Sequence, residues 1–143
     1  MEPRALTDSY HVSPQIAAED LPAIAAAGYT TVICNRPDVE VPPSHQAAAI
    51  GAAAAAAGLT FEVLELTHQT MTPEAVARQK ALVAASEGPV LAYCASGTRC
   101  TVIWALGQAT EQSADEILAR ARDAGYQLDA MRPTLDALSR TAP

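Results

Sequence analysis

The chain has 143 residues, 50% of them hydrophobic, with 9 Lys and Arg against 16 Asp and Glu and a formal net charge of −7. That length supports one domain with its own core, expected to span 1–143. The acidic balance, with no Lys/Arg cluster to offset it, excludes a nucleic-acid or anionic-membrane surface, so any anion site must be local.

Met1 to Val12 mixes charged and polar residues and lacks the apolar centre of a signal peptide, which predicts a cytoplasmic protein. Ser9 to Ser13 reads as a short edge strand, and Ala17 to Ala27 as a helix stopped at Gly28. Thr30 to Cys34 is a β-branched strand broken by Asn35-Arg36-Pro37-Asp38. From Pro43 or Ser44 to Ala57 the alanine-rich stretch is helical by propensity, with Gly58 just past its end. Its apolar run, Ala47 to Leu59, falls short of the ~20 residues a membrane span needs.

A strand over Thr60 to Leu64 and a polar connection from Glu65 to Thr70 follow. Thr72-Pro73-Glu74 then supplies a cap, a proline at the first helical position and an acidic first turn, predicting a helix to about Ala85. Pro89 to Tyr93 reads as a buried strand delivering Cys94, and a helix runs from Arg99 to about Thr110. Ser113 to Glu116 matches a capping box whose helix Gly125 closes, and Pro133 to Arg140 makes a last short helix. Alternating strands and helices predict an α/β fold in three layers, with a mostly parallel sheet of four to five strands covered by helices on both faces. Such sheets bind ligands at the carboxyl ends of their strands. That rule gathers Asn35 to Asp38, Glu65 to Thr70 and Cys94 to Arg99 on one rim.

Cys94-Ala95-Ser96-Gly97-Thr98-Arg99 is the segment that carries chemistry. Between a strand and a helix N-terminus, the amides of Ala95 to Arg99 have no intrahelical partners and can converge on an anion, aided by the helix dipole. The same field, with Arg99 folded over the loop, should lower the Cys94 pKa and make it a nucleophilic thiolate. Gly97 accepts the left-handed backbone such a loop requires. Arg99 offers a planar fork suited to a tetrahedral anion.

Around this loop, Ser96 and Thr98 either hydrogen-bond the anion or cap the helix. Arg36 either widens the positive mouth or pairs with Asp38, and Asp38 is either an acid or that partner. His68 is acid, anion ligand or plain surface. Cys100 is a small buried helix residue or a resolving thiol, and Cys34 is core. Three cysteines without Cys-x-x-Cys spacing, and scattered histidines, point to free thiols and to no metal; the chemistry asks for no cofactor.

Val32 to Asp38, Leu91 to Arg99, Trp104-Ala105-Leu106 and Ala124-Gly125-Tyr126 together resemble the phosphatase-like domain of beta-lactamase hydrolase-like proteins over nearly the whole chain. The resemblance implies a compact dual-specificity, tyrosine-phosphatase-like fold. It also implies a loop similar to the Cys-x-x-Gly-x-Arg loop of rhodaneses, and a choice between phosphatase and sulfurtransferase roles. Four residues separate Cys94 and Arg99 where the phosphatase signature has five, and no Asp lies between Leu64 and Pro73. A tighter cradle without an acid suits a sulfur anion, whose leaving group needs no proton.

The expectation is therefore a sulfurtransferase that holds sulfur from thiosulfate or a persulfide on Cys94. The alternative is a phosphatase acting through a Cys94 phosphocysteine, with Asp38, Glu65 or His68 as acid. A non-catalytic anion or persulfide sensor is a third reading. The implied partners are a small sulfur- or phosphorus-containing anion, an acceptor thiol and, from the family's fused relatives, a persulfide dioxygenase.

Overall fold

The computed structural model describes residues 2–141. One five-stranded sheet runs in the order β1-β2-β5-β3-β4. The strands are β1 (Arg4–Ala5), β2 (Tyr10–Ser13), β3 (Thr31–Cys34), β4 (Thr60–Val63) and β5 (Val90–Tyr93). β1 is antiparallel to β2, and the other pairings are parallel. The helices are α1 (Leu21–Ala26), α2 (Ala47–Ala56), α3 (Pro73–Ala84), α4 (Thr98–Gln108), α5 (Ala114–Asp123) and α6 (Arg132–Arg140).

Two apolar clusters, one per face, make the three layers. Leu21 and Ile24 of α1 and Ile50 and Ala54 of α2 pack with Val32, Leu91 and Tyr93. On the other face Cys100, Trp104, Ile117, Leu118 and Leu135 pack with Tyr10, Val12, Ile33, Val90 and Ala92. Side chains alternate across a strand, so the two-residue period that puts Val90 and Ala92 on this second face also puts Cys94 there. All four residues of β5 are buried, as expected of a central parallel strand covered on both sides.

This connectivity places the site. After β2 and β3 the chain leaves over the face of α1 and α2, whereas after β5 it leaves over the opposite face into α4. β5 lies between β2 and β3, so the loops diverge on either side of its carboxyl end and open a crevice there.

The predicted elements are largely present, with displaced bounds. Tyr10–Ser13 is an interior strand, because the short Arg4–Ala5 strand, which has no apolar alternation to announce it, takes the edge. The run from Ala17 begins as a 3-10 turn over Ala18–Asp20, tied by Asp20 accepting from the Ala17 amide at 2.9 Å, and becomes α1 only where Pro22 presets the first turn. Pro43–His45 is likewise a separate 3-10 turn, so α2 starts at Ala47.

Candidate active site

Cys94 leaves β5 with its amide donating to the Ser13 carbonyl at 3.4 Å, and the Ala95 carbonyl accepts from the Gln15 amide at 3.2 Å. These bonds continue the β2–β5 pairing past the strand ends and set the direction of the loop. Gly97 turns the chain into α4 with φ +94°, where any other residue is strained, and its amide donates to Cys94 Sγ at 3.2 Å. Tyr126 fastens the outside of the turn, its hydroxyl donating to the Ser96 carbonyl at 3.0 Å. A Cβ at Gly97 would overlap that hydroxyl, so two constraints select glycine here. Inside the helix, the Gly97 carbonyl accepts from the Thr101 amide at 3.0 Å and the Thr101 hydroxyl at 2.8 Å.

The Cys94 thiol is pulled from the ordinary 9.0 to about 5. The Cys100 thiol hydrogen-bonded to the sulfur is the largest cause; burial opposes it, and the amides of Cys100, Gly97 and Ser96 add to the lowering. Burial, followed by the neighbouring Cys94, pushes the Cys100 thiol well up. The pair therefore shares its first ionisation on Cys94, with Cys100 as proton donor to the thiolate. The loop closes over the sulfur: Cys94 is 0% exposed, beneath exposed Ala95 and Ser96. Ser96 and Thr98 bond mainly to each other, their hydroxyls 2.9 Å apart and the Thr98 amide 3.4 Å from Ser96 Oγ.

Arg99 is held from one side. Its Nη1 and Nη2 donate at 2.8 Å each to the two carboxylate oxygens of Glu40, and Nη1 also donates to the Leu66 carbonyl at 2.9 Å. Two protons of Nη1 and one of Nη2 are thus taken. Among the described residues the parallel N–H bonds of Nε and Nη2 have no partner, and they are the edge of the fork that grips two oxygens at once. Glu40 is the chief cause of the raised Arg99 pKa, and the negative charge of the nearby Cys94 adds to it. Glu40 in turn is held below the usual carboxylate range, first by the Arg99 hydrogen bond and then by Arg36, against the opposing effect of burial.

Arg36 does not pair with Asp38. Its Nε reaches Glu40 Oε1 at 3.1 Å, i to i+4 across the 3-10 turn Asp38–Glu40, and its Nη1 reaches Gln15 Oε1 at 3.3 Å. Asp38 instead accepts from the Ala47 amide at 2.8 Å, satisfying a donor at the start of α2, where the helix dipole favours a carboxylate. Glu65 accepts from the Asp38 amide at 3.4 Å. His68 is exposed on the turn closed by Thr67 and Thr70, and it has no hydrogen-bond partner among the described residues. The rim predicted from loop order thus brings Cys94, Arg99, Arg36, Leu66 and Glu40 together, with His68 at its outer edge.

The family model for the beta-lactamase hydrolase-like protein phosphatase-like domain matches residues 2–111. The chain belongs to that family. A beta-lactamase hydrolase-like protein of Agrobacterium fabrum is 34% identical over 98 residues, covering 68% of this chain and 22% of its own length. The chain therefore spans about a quarter of that curated relative. A candidate phosphatase from Neisseria meningitidis z2491 is 36% identical, with 94% of this chain and 96% of that one covered at a TM-score of 0.85. PTPMT1, at 14% identity and a TM-score of 0.71 over 97% of this chain and 94% of that one, shares the fold. This is a phosphatase-like domain on a tyrosine-phosphatase-like α/β fold.

Sequence reasoning did not find Glu40 or the latch of Tyr126. The first had a signal in the i, i+4 spacing of Arg36 and Glu40, which becomes meaningful only once Arg99 arrives from a distant strand. The second lies in the Ala124-Gly125-Tyr126 segment of the resemblance, but nothing local assigns it a partner, since Tyr126 is 30 residues from the Ser96 carbonyl it holds.

Proposed function

We propose that this domain hydrolyses phosphate monoesters through a phosphocysteine on Cys94. The observation that carries this reading is the orientation of Arg99: Glu40 and Leu66 occupy the far side of the guanidinium, and among the described residues its two-pronged edge makes no hydrogen bond, on the same loop as Cys94. A fork of that shape matches two equatorial oxygens of a phosphoryl group. Family membership and the phosphatase-type neighbours support the same reading.

In the first step the Cys94 thiolate attacks phosphorus, the S–P bond forms and the P–O bond to the leaving group breaks. Water then attacks the phosphocysteine, releasing inorganic phosphate and returning the thiolate. The amides around Sγ and the Arg99 edge stabilise the charge on the equatorial oxygens. Of the candidate acids, Asp38 is bound to the α2 amide, Glu65 accepts from the Asp38 amide and exposed His68 makes no hydrogen bond among the described residues, while Glu40 beside the guanidinium is kept ionised by two arginines. The leaving oxygen therefore departs largely unprotonated, which directs the site toward aryl and other weakly basic leaving groups.

Sulfur transfer is the second reading, favoured by the four-residue spacing and by the Cys100 thiol against Cys94. There Cys94 would attack the outer sulfur of thiosulfate, expel sulfite and pass the sulfane sulfur to a thiolate or cyanide. Side-by-side assays of aryl phosphate hydrolysis and thiosulfate:cyanide transfer separate the two. Phosphate release that Cys94→Ser abolishes, with no thiocyanate formed, is the expected outcome; thiocyanate without phosphate reverses the assignment. Three buried free cysteines support a reducing compartment, the cytoplasm. No helix among the described residues is long and apolar enough to cross a membrane.

A further inference from the structure

A buried polar chain runs behind the site and takes no part in the chemistry described above. Asn35 is 0% and Gln79 3% exposed, and they exchange side-chain hydrogen bonds: Asn35 Nδ2 donates to Gln79 Oε1 and Gln79 Nε2 to Asn35 Oδ1, both at 3.0 Å. The second proton of Asn35 Nδ2 goes to the Leu64 carbonyl at 2.8 Å, and the second proton of Gln79 Nε2 to Tyr10 Oη at 3.2 Å. All four amide protons of the pair are taken, so the network is fully satisfied and admits one arrangement.

Each arm ends on one half of the site. Along the first, the Asn35 carbonyl accepts from the Leu66 amide at 2.8 Å, and the Leu66 carbonyl receives Arg99 Nη1 at 2.9 Å. Leu64 and Leu66 are thereby pinned on both sides of Glu65, which fixes the acceptor that orients the guanidinium. Along the second, Tyr10 Oη donates to the Cys100 carbonyl at 2.8 Å, anchoring the turn of α4 that presents the Cys100 amide and thiol to Cys94. Asn35 also receives the path of β5 directly, its amide donating to the Tyr93 carbonyl at 2.9 Å, one residue before the nucleophile.

We propose that the Asn35–Gln79 amide pair is a positioning element joining the two halves of the site: through Leu64 to Leu66 it sets Arg99, and through Tyr10 it sets Cys100 against Cys94. The apolar interior around it could have been filled by two leucines at less desolvation cost. An amide pair there ties three strand ends and α3 to fixed hydrogen-bond directions that leucines would not impose.

The proposal rests on Cys94 and Arg99 forming one anion site, and its test uses binding and titration so that it does not depend on turnover. The full chain is compared with Asn35→Ala, Gln79→Met and Tyr10→Phe by orthovanadate calorimetry and by thiolate titration of Cys94. Asn35→Ala is expected to weaken vanadate by about ten- to a hundredfold, the scale on which small misplacements of a site act, with the Cys94 midpoint little moved. Tyr10→Phe is expected to raise the Cys94 midpoint with the smaller loss of vanadate affinity, and Gln79→Met to do both.

Variants that melt at lower temperature yet bind vanadate and titrate as wild type assign the pair to the core alone and overturn the proposal. Should Asn35→Ala fail to fold, Gln79→Met and Tyr10→Phe carry the same comparison. Wild-type protein that does not bind vanadate overturns the anion-site reading itself, an outcome distinct from equal binding by wild type and variants.

Discussion

Replacing Cys100 by Ala removes the strongest single donor to the Cys94 sulfur and leaves the amides of Ser96, Gly97 and Cys100 in place. A hydrogen bond to an ionised group is worth about 1.5–3 kcal/mol, and about 1.4 kcal/mol displaces a titration by one pH unit. The Cys94 midpoint should therefore climb from about 5 by roughly one to two pH units in Cys100→Ala. Cys100→Ser keeps a donor of similar reach and should remain near wild type. At about pH 6 the wild-type sulfur is about nine-tenths ionised, whereas the Ala variant is about half ionised or less.

Because Cys94 is covered by its own loop, the assay reads ionisation without a reagent. Ultraviolet thiolate absorbance is titrated in each protein and the curve of the matching Cys94→Ser variant is subtracted. If Cys100→Ala titrates with wild type, the thiol of Cys100 has no hold on the nucleophile. If wild type itself titrates near the ordinary thiol value, the amide cradle has none either.

Stability should follow the same ionisation. The folded value of Cys94 lies below its ordinary 9.0, so between about 5 and 9.0 the unfolded chain holds a proton that the folded chain does not. The thiolate's contribution is complete above the upper value and is lost as pH falls through the lower, at no more than about 1.4 kcal/mol per pH unit. Urea unfolding should rise more steeply with pH for wild type than for Cys94→Ala, and parallel slopes would contradict this. Glu40→Gln frees the far side of Arg99 and should lower kcat/KM by about tenfold or more, given the strength of charged hydrogen bonds; an unchanged value would leave Leu66 as the sole support of the guanidinium. Gly97→Ala meets both a left-handed φ and the Tyr126 hydroxyl, and should destabilise by about 1–3 kcal/mol, partly relieved in a Tyr126→Phe background. Across a series of aryl phosphates kcat/KM should fall steeply as the leaving phenol becomes more basic; a shallow dependence that steepens in His68→Ala would instead make His68 the acid.

The sheet, its parallel sense and the rim that gathers the loops after β3, β4 and β5 were legible because they follow from local periodicity and the direction of crossovers. Cys94 and Arg99 were legible because their strand–turn–helix context is contiguous. The roles around them were not. Arg36 and Asp38 stand two apart in sequence and invite pairing, yet the chain turns after Pro37 so that Glu40 faces Arg36 and Asp38 faces the Ala47 amide at the start of α2. Gln79 carries no local signal; its burial against Asn35 depends on how α3 packs over the sheet, which no local pattern encodes. The preference for sulfur transfer rests on loop length and on the absence of an Asp between Leu64 and Pro73, features that leave open which edge of the guanidinium faces the substrate.

Mass spectrometry of the intact protein, quenched by acid during turnover of an aryl phosphate and separately after exposure to thiosulfate, addresses the central claim most directly. A phosphocysteine adds about 80 daltons on Cys94 with the phosphate ester and leaves the thiosulfate sample unmodified, as a covalent phosphoryl intermediate requires. An adduct of about 32 daltons from thiosulfate, with none from the ester, would contradict the account and make Cys94 a carrier of sulfur.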